Sequence, residues 1–133
     1  MQLELTLPMP PSINHCYFYI KGKRIPNKTA KDYMELVKQI TLKTMQKNGI
    51  TMFPDKKKII IEMTYYFPDK RIRDTHNTFK ILLDALEGVV YKNDYWVLVN
   101  IKDFIIEKDK SEVHLNIYLK DNEAKKEKER RKE

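Results

Sequence analysis

Phe79, Leu82, Leu83 and Leu86 recur at i, i+3, i+4 and i+7 within residues 75–87, which is the spacing of one buried helical face. Such a run requires a helix packed on a core, and a chain of 133 residues has room for one core of ordinary size. Asp74 precedes the run with Asn77 three residues on, the pattern of an N-cap, and Gly88 follows the last apolar position as a C′ stop.

Beside the apolar stripe, His76, Asn77, Lys80 and Asp84 fall together on one flank of the expected helix. With Asp74 at the helix start and Asp94 just past its end, these groups would converge on a metal-bound phosphodiester. Carboxylates suit Mg²⁺ or Mn²⁺, and a lysine suits a phosphate oxygen. The same residues also fit a capped amphipathic helix with a solvated face, in which Lys80 and Asp84 form an i, i+4 pair and Asp94 sits in an Asn-Asp turn. Spacing alone leaves both readings open.

The rest of the chain supplies a sheet and one further long helix. Residues 2–7 alternate Leu3, Leu5 and Leu7 with polar positions, the period of a strand with one buried face. Pro8, Pro10 and Pro11 then impose a stiff extended connection. Residues 17–20 and 24–26 flank Lys21-Gly22-Lys23 and read as a small basic hairpin. Residues 27–49 read as a helix capped at Asn27 or Thr29 and closed by Asn48-Gly49, with Tyr33, Leu36, Val37 and Ile40 as its apolar face. Its Lys28, Lys31, Lys38, Lys43 and Lys47 read as solvent-facing. Residues 58–67 are β-branched and aromatic, a central strand that delivers the chain to Arg71, Arg73 and Asp74. A site at such a strand-to-helix junction is held by two packed elements at once. Residues 95–106 and 112–119 read as two strands of a hairpin turning at 107–111. His114 falls on the polar side of the second strand, which argues against a ligand role, and the His15-Cys16 pair is too small for a zinc site.

The expected architecture is therefore α+β, one domain with a mixed β-sheet and two main helices packed on it. Residues 1–121 form the folded domain, and 122–133 form a charged tail whose sole apolar residue is Ala124. Net charge is +7, of which the tail's six Lys/Arg and four Asp/Glu contribute +2, so the folded part is itself basic and favours polyanions. The single Cys16 excludes an intrachain disulfide and fits a reducing compartment. No run of about 18 apolar residues suggests a membrane span, and a cytoplasmic protein is expected. Glycine occurs only at 22, 49 and 88, so there is no Gly-rich phosphate loop, and no internal repeat is present.

Two separated segments resemble the RusA family of Holliday junction resolvases, small DNA endonucleases of bacteria and their prophages. Around the helix, Arg73, Asp74, Asn77, Lys80, Asp84-Ala85-Leu86 and Asp94 fit the family pattern. Near the N-terminus, Leu7-Pro-Met-Pro-Pro-Ser-Ile-Asn14 with Tyr17 is similar to its Pro-rich signature. The two occur in the right order, and the resemblance covers roughly residues 1–120. It implies a homodimer with two active sites that nicks branched DNA, the four-way junction, in recombination and repair. It also implies Mg²⁺ or Mn²⁺ held by Asp74 and Asp94 with a third ligand from the helix start, and Lys80 and Arg73 on DNA phosphates.

His76 stands where the family has its second Asp, so His76 is the expected third ligand and Mn²⁺ the better cofactor. In the expected reaction water attacks phosphorus in line while Asp74, Asp94 and Lys80 do the catalytic work, with Arg71, Arg73, Asn77 and Lys80 contacting DNA. A non-catalytic junction-binding protein on the same fold, or a nuclease for other branched nucleic acids, remains open through His76.

Overall fold

In β4 (Ile59–Phe67), alternate residues Ile59, Ile61, Met63, Tyr65 and Phe67 are buried on one face, while Glu62, Thr64 and Tyr66 are half-buried on the other. That alternation makes β4 the spine of a four-stranded sheet. The computed structural model describes residues 1–12, 16–73, 75 and 78–121. β1 (Gln2–Pro8), β5 (Val97–Ile106) and β6 (Glu112–Leu119) complete the sheet in the order β1-β6-β4-β5, and β2 (Tyr17–Ile20) pairs with β3 (Lys23–Pro26) as a separate hairpin. The core lies between this sheet and two helices, α1 (Lys28–Lys47) and α2 (Phe79–Leu86), so the α+β single-domain expectation holds among the described residues. None of the described helices is long and apolar enough to cross a membrane.

The strands at 95–106 and 112–119 are not a hairpin. β5 runs parallel to β4, and β6 is inserted antiparallel between β4 and β1. A parallel neighbour requires a crossover, and α2 supplies it between β4 and β5. The 107–111 connection passes the end of β4, where the Glu107 amide donates to the Phe67 carbonyl at 2.9 Å. Alternation in the sequence specifies which side of a strand is buried and is silent about its neighbour. β5 also begins later than expected, because Asp94–Trp96 forms a short 3₁₀ turn capped by the Asn93 side chain. Lys102 is the extra residue of a bulge that shifts the β4–β5 register after Ile101.

α1 begins at the expected cap, with Asn27 Oδ1 accepting from the Ala30 amide at 3.0 Å. Its buried face differs from the expected one. Ala30, Tyr33, Val37, Thr41 and Met45 are buried, while Leu36 is 43% exposed and Ile40 only partly covered. Thr41 can sit in the core because its hydroxyl donates to the Val37 carbonyl at 2.7 Å, which leaves no polar atom unpaired.

α2 is shorter than the 75–87 helix read from spacing. The N-cap position falls on Thr78, and Asp74, the expected cap, lies outside the described residues. The Thr78 hydroxyl makes no cap bond, since it sits 2.7 Å from the Thr75 carbonyl and 2.8 Å from the Tyr65 hydroxyl. Gly88 ends the helix as expected, at φ +83. Burial goes beyond a single stripe: Ile81 and Ala85 join Leu82, Leu83 and Leu86, because the helix is packed against α1 within the common core. Lys80 and Asp84 are left half-buried on the remaining strip.

Candidate active site

Lys80 lies between two carboxylates, with Nζ 3.0 Å from Asp84 Oδ1 and 3.4 Å from Asp94 Oδ2. Asp84 is one helical turn further along α2, and Asp94 opens the 3₁₀ turn, so a crossover helix and the segment that returns from it to the sheet meet at this lysine. Glu87, just past α2, uses Oε1 to accept the Asp94 backbone amide at 3.1 Å. Oxygens of Asp84, Glu87 and Asp94 all fall within 4.8 Å of one another. Opposite Lys80, the Tyr17 hydroxyl donates to Asp84 Oδ2 at 2.6 Å, and the Arg24 guanidinium stacks 4.7 Å from the Tyr17 ring centre. The β2–β3 hairpin is thereby tied to α2.

The electrostatics follow from this crowding. Burial alone would lower the Lys80 pKa, but its hydrogen bond to Asp84 and the charges of Asp84 and Asp94 outweigh burial and raise it above the ordinary lysine value. Lys80 is a fixed cation at neutral pH and no general base. Burial, the Asp84 hydrogen bond and the Asp84 charge push Tyr17 up likewise, so it remains a donor. Tyr91, buried beneath the cluster with its hydroxyl donating to the Leu83 carbonyl at 2.6 Å, is raised by burial first and then by Asp94, Glu87 and Asp84. A groove of about 440 Å³ opens beside Asp84 and Glu87, and Lys31 and Lys38 of α1 line its far side.

Of the residues singled out from sequence, the structure brings together Lys80, Asp84 and Asp94. Asp74, His76 and Asn77 lie outside the described residues, as does His15. Arg71 is exposed. Arg73 is occupied within its own loop: Nη2 pairs with Asp69 Oδ1 at 2.8 Å, Nη1 donates to the carbonyls of Asp69 and Arg71, and the guanidinium lies 4.9 Å from the Phe67 ring centre. His114 sits on the solvent side of the sheet with its ring 4.4 Å from that of Tyr66.

Sequence reasoning missed Glu87, whose signal was its i, i+3 spacing from Asp84 and i, i+7 from Lys80. It also treated Lys31 and Lys38 as plain surface, because helix periodicity does not reveal which neighbour a solvated side faces.

The family model of endodeoxyribonuclease RusA matches residues 8–120. The chain belongs to the RusA family. It is 32% identical over 94 residues to proteins named crossover junction endodeoxyribonuclease RusA from Escherichia coli (strain K12), Shigella sonnei (strain Ss046) and Enterobacteria phage 82, a match covering 71% of this chain and 71% of each relative. The lysine-centred cluster, the groove and most of the sheet lie within the family match.

Proposed function

We propose that this RusA-family chain is a structure-selective endonuclease that resolves Holliday (four-way) junctions by paired, metal-dependent phosphodiester cleavage. The observation that carries the reading is Lys80 set among Asp84, Glu87 and Asp94 in a member of a nuclease family. The donor set fits the implied ion: three carboxylates within 4.8 Å offer hard oxygen ligands of the kind Mg²⁺ and Mn²⁺ prefer. Asp94 would hold the ion with Asp74 and His76, and Glu87 adds a carboxylate beside Asp94. When bound, a divalent ion supplies Lewis-acid polarisation of the phosphodiester and makes water a stronger nucleophile.

The protein's own part is positioning and charge. Asp84, anchored by Tyr17, presents the Lys80 ammonium, which neutralises negative charge building on the phosphate in the transition state. Lys31 and Lys38, on either side of Glu35 across the groove, offer ammonium groups to the DNA backbone, with the exposed Arg71 as a further phosphate contact and Arg73 joining on release from Asp69. A homodimer matches the two-fold symmetry of a four-way junction and delivers two nicks. β5 supports it: among the described residues this strand has a strand neighbour on one side alone, and Phe104 is 60% exposed near a fully exposed Ile72. His76, in place of the second family Asp, keeps a non-catalytic junction-binding protein as the second reading.

The test is incubation of purified protein with labelled four-way junctions, flaps, branched RNA and matched duplexes in Mg²⁺, Mn²⁺ or EDTA. Metal-dependent cutting of junctions but not duplexes is expected. Binding without cutting would replace the nuclease with the non-catalytic protein, and equal cutting of flaps or RNA would broaden the substrate.

A further inference from the structure

The β2–β3 hairpin has a register in which Tyr17 faces Pro26, Phe18 faces Ile25, Tyr19 faces Arg24 and Ile20 faces Lys23. Directly opposed residues share a face, and alternate residues of a strand return to it, so Tyr17, Tyr19 and Arg24 lie on one side of the ribbon. That is the side on which Tyr17 reaches Asp84 and on which Arg24 stacks over Tyr17. Tyr19 is one pleat period beyond Tyr17, about 7 Å further toward the tip, and it is 73% exposed. Arg24 faces it directly across the ribbon, Lys21 and Lys23 lie at the adjoining turn, and all three are exposed.

The exposed Tyr19 ring stands opposite Arg24, close to the turn lysines, on an arm bonded to the lysine-carboxylate cluster. An aromatic face among cations suits a nucleobase whose own phosphates meet those cations. In duplex DNA each base is covered by its neighbours, whereas in the open form that a four-way junction takes without divalent ions the central stack is interrupted and a base at the branch point is unstacked at less cost.

We propose that the hairpin is a branch-point reader in which the Tyr19 ring stacks on an unstacked base next to the phosphate held at Lys80, with Arg24 on the adjoining backbone. The assignment rests on the endonuclease reading and deepens it: the discrimination of junction from duplex resides in Tyr19, while the lysine-carboxylate cluster performs the cleavage.

The experiment places 2-aminopurine at the branch point of a four-way junction and, separately, in the matching duplex, and titrates each with the full-length protein in EDTA. Wild type is expected to quench the junction probe and not the duplex probe. Tyr19→Ala should lose the quenching and bind the junction about ten- to a hundredfold more weakly, the range for losing one base-aromatic stack, with duplex affinity changed less than about threefold. Tyr19→Trp should restore both. Unchanged junction affinity and quenching in Tyr19→Ala, or equal weakening toward junction and duplex, would overturn the proposal. So would conversion of a dimer to monomers by Tyr19→Ala at unchanged DNA contacts, which would assign the ring to a second copy. Junction cleavage by wild type in Mn²⁺ is scored separately. Quenching without cleavage sinks the nuclease reading and leaves the reader standing, and cleavage by a Tyr19→Ala variant that still selects junctions does the reverse.

Discussion

The Tyr17 hydroxyl donates to Asp84 Oδ2 across 2.6 Å, joining residues 67 positions apart, while the other oxygen of Asp84 holds Lys80 at 3.0 Å. The N-terminal hairpin and the crossover helix are thus coupled through one carboxylate. Tyr17→Phe removes a hydrogen bond to a charged acceptor, for which a loss of about 1–2 kcal/mol is expected at this half-buried position. Thermal denaturation measures it, and single-turnover junction cleavage should fall several-fold as Asp84 loses its anchor. Unchanged stability and cleavage would show that the coupling has no consequence.

Lys80→Ala is expected to slow junction cleavage by roughly 10²–10³, the cost of removing one charge-stabilising group from a transition state, with junction affinity nearly unchanged. The Lys80 side chain is still 30% exposed, so its pairs with Asp84 and Asp94 are screened; a stability loss of about 1 kcal/mol or less is anticipated. Broad unfolding of the variant would instead make Lys80 a structural counter-ion.

Asp94→Asn should abolish metal-supported cleavage while preserving junction binding, because it removes an anionic oxygen and leaves Lys31, Lys38 and Arg71 in place. Glu87→Gln keeps an acceptor for the Asp94 amide yet removes a charge from the cluster, and about a tenfold weaker Mn²⁺ affinity is expected. Calorimetric Mn²⁺ titration of the DNA-free protein reads both. Wild-type affinity in Asp94→Asn would exclude it as a ligand.

The reassigned face of α1 can be tested by a pair of neighbouring substitutions. Val37→Ala opens a fully buried position and should cost about 2 kcal/mol, whereas Leu36→Ala at a 43% exposed position should cost under about 0.5 kcal/mol. Equal losses on denaturant unfolding would restore the stripe read from the sequence.

Glu62 sets a pH dependence of stability. Burial alone would raise its pKa, but Lys102 at 2.9 Å, Tyr118 and Asn116 together hold the carboxyl below its ordinary value. A depressed folded pKa contributes stability that is present above the unfolded value of about 4.3 and is lost as pH falls through the folded one. Wild type should therefore lose more stability than Glu62→Gln as pH drops below about 5. Parallel melting curves for the two proteins across that range would show the pair to be inert.

What the sequence determined by itself was local and periodic. Alternation in β1, the β-branched and aromatic run of β4, the Asn27 cap, the Lys21-Gly22-Lys23 turn and the Gly88 stop depend on residues a few positions apart, and the structure repeats them. The sequence also marked Lys80, Asp84 and Asp94 as companions, since a helix and its exit place them near one another whatever surrounds them. Tertiary structure decided the rest. β6 lies between β1 and β4 because its two edges find partners there, and β5 is parallel to β4 because α2 carries the chain back across the sheet. Neither fact is encoded in a period of two. Thr41 is core and Leu36 is surface because burial is set by which side α2 and the sheet present to α1, and a hydroxyl can enter that interior when a carbonyl one turn back accepts its proton. Tyr17 meets Asp84 through the folding of the hairpin onto α2, a contact no spacing rule can express, because its partner is chosen by packing over 67 residues of chain.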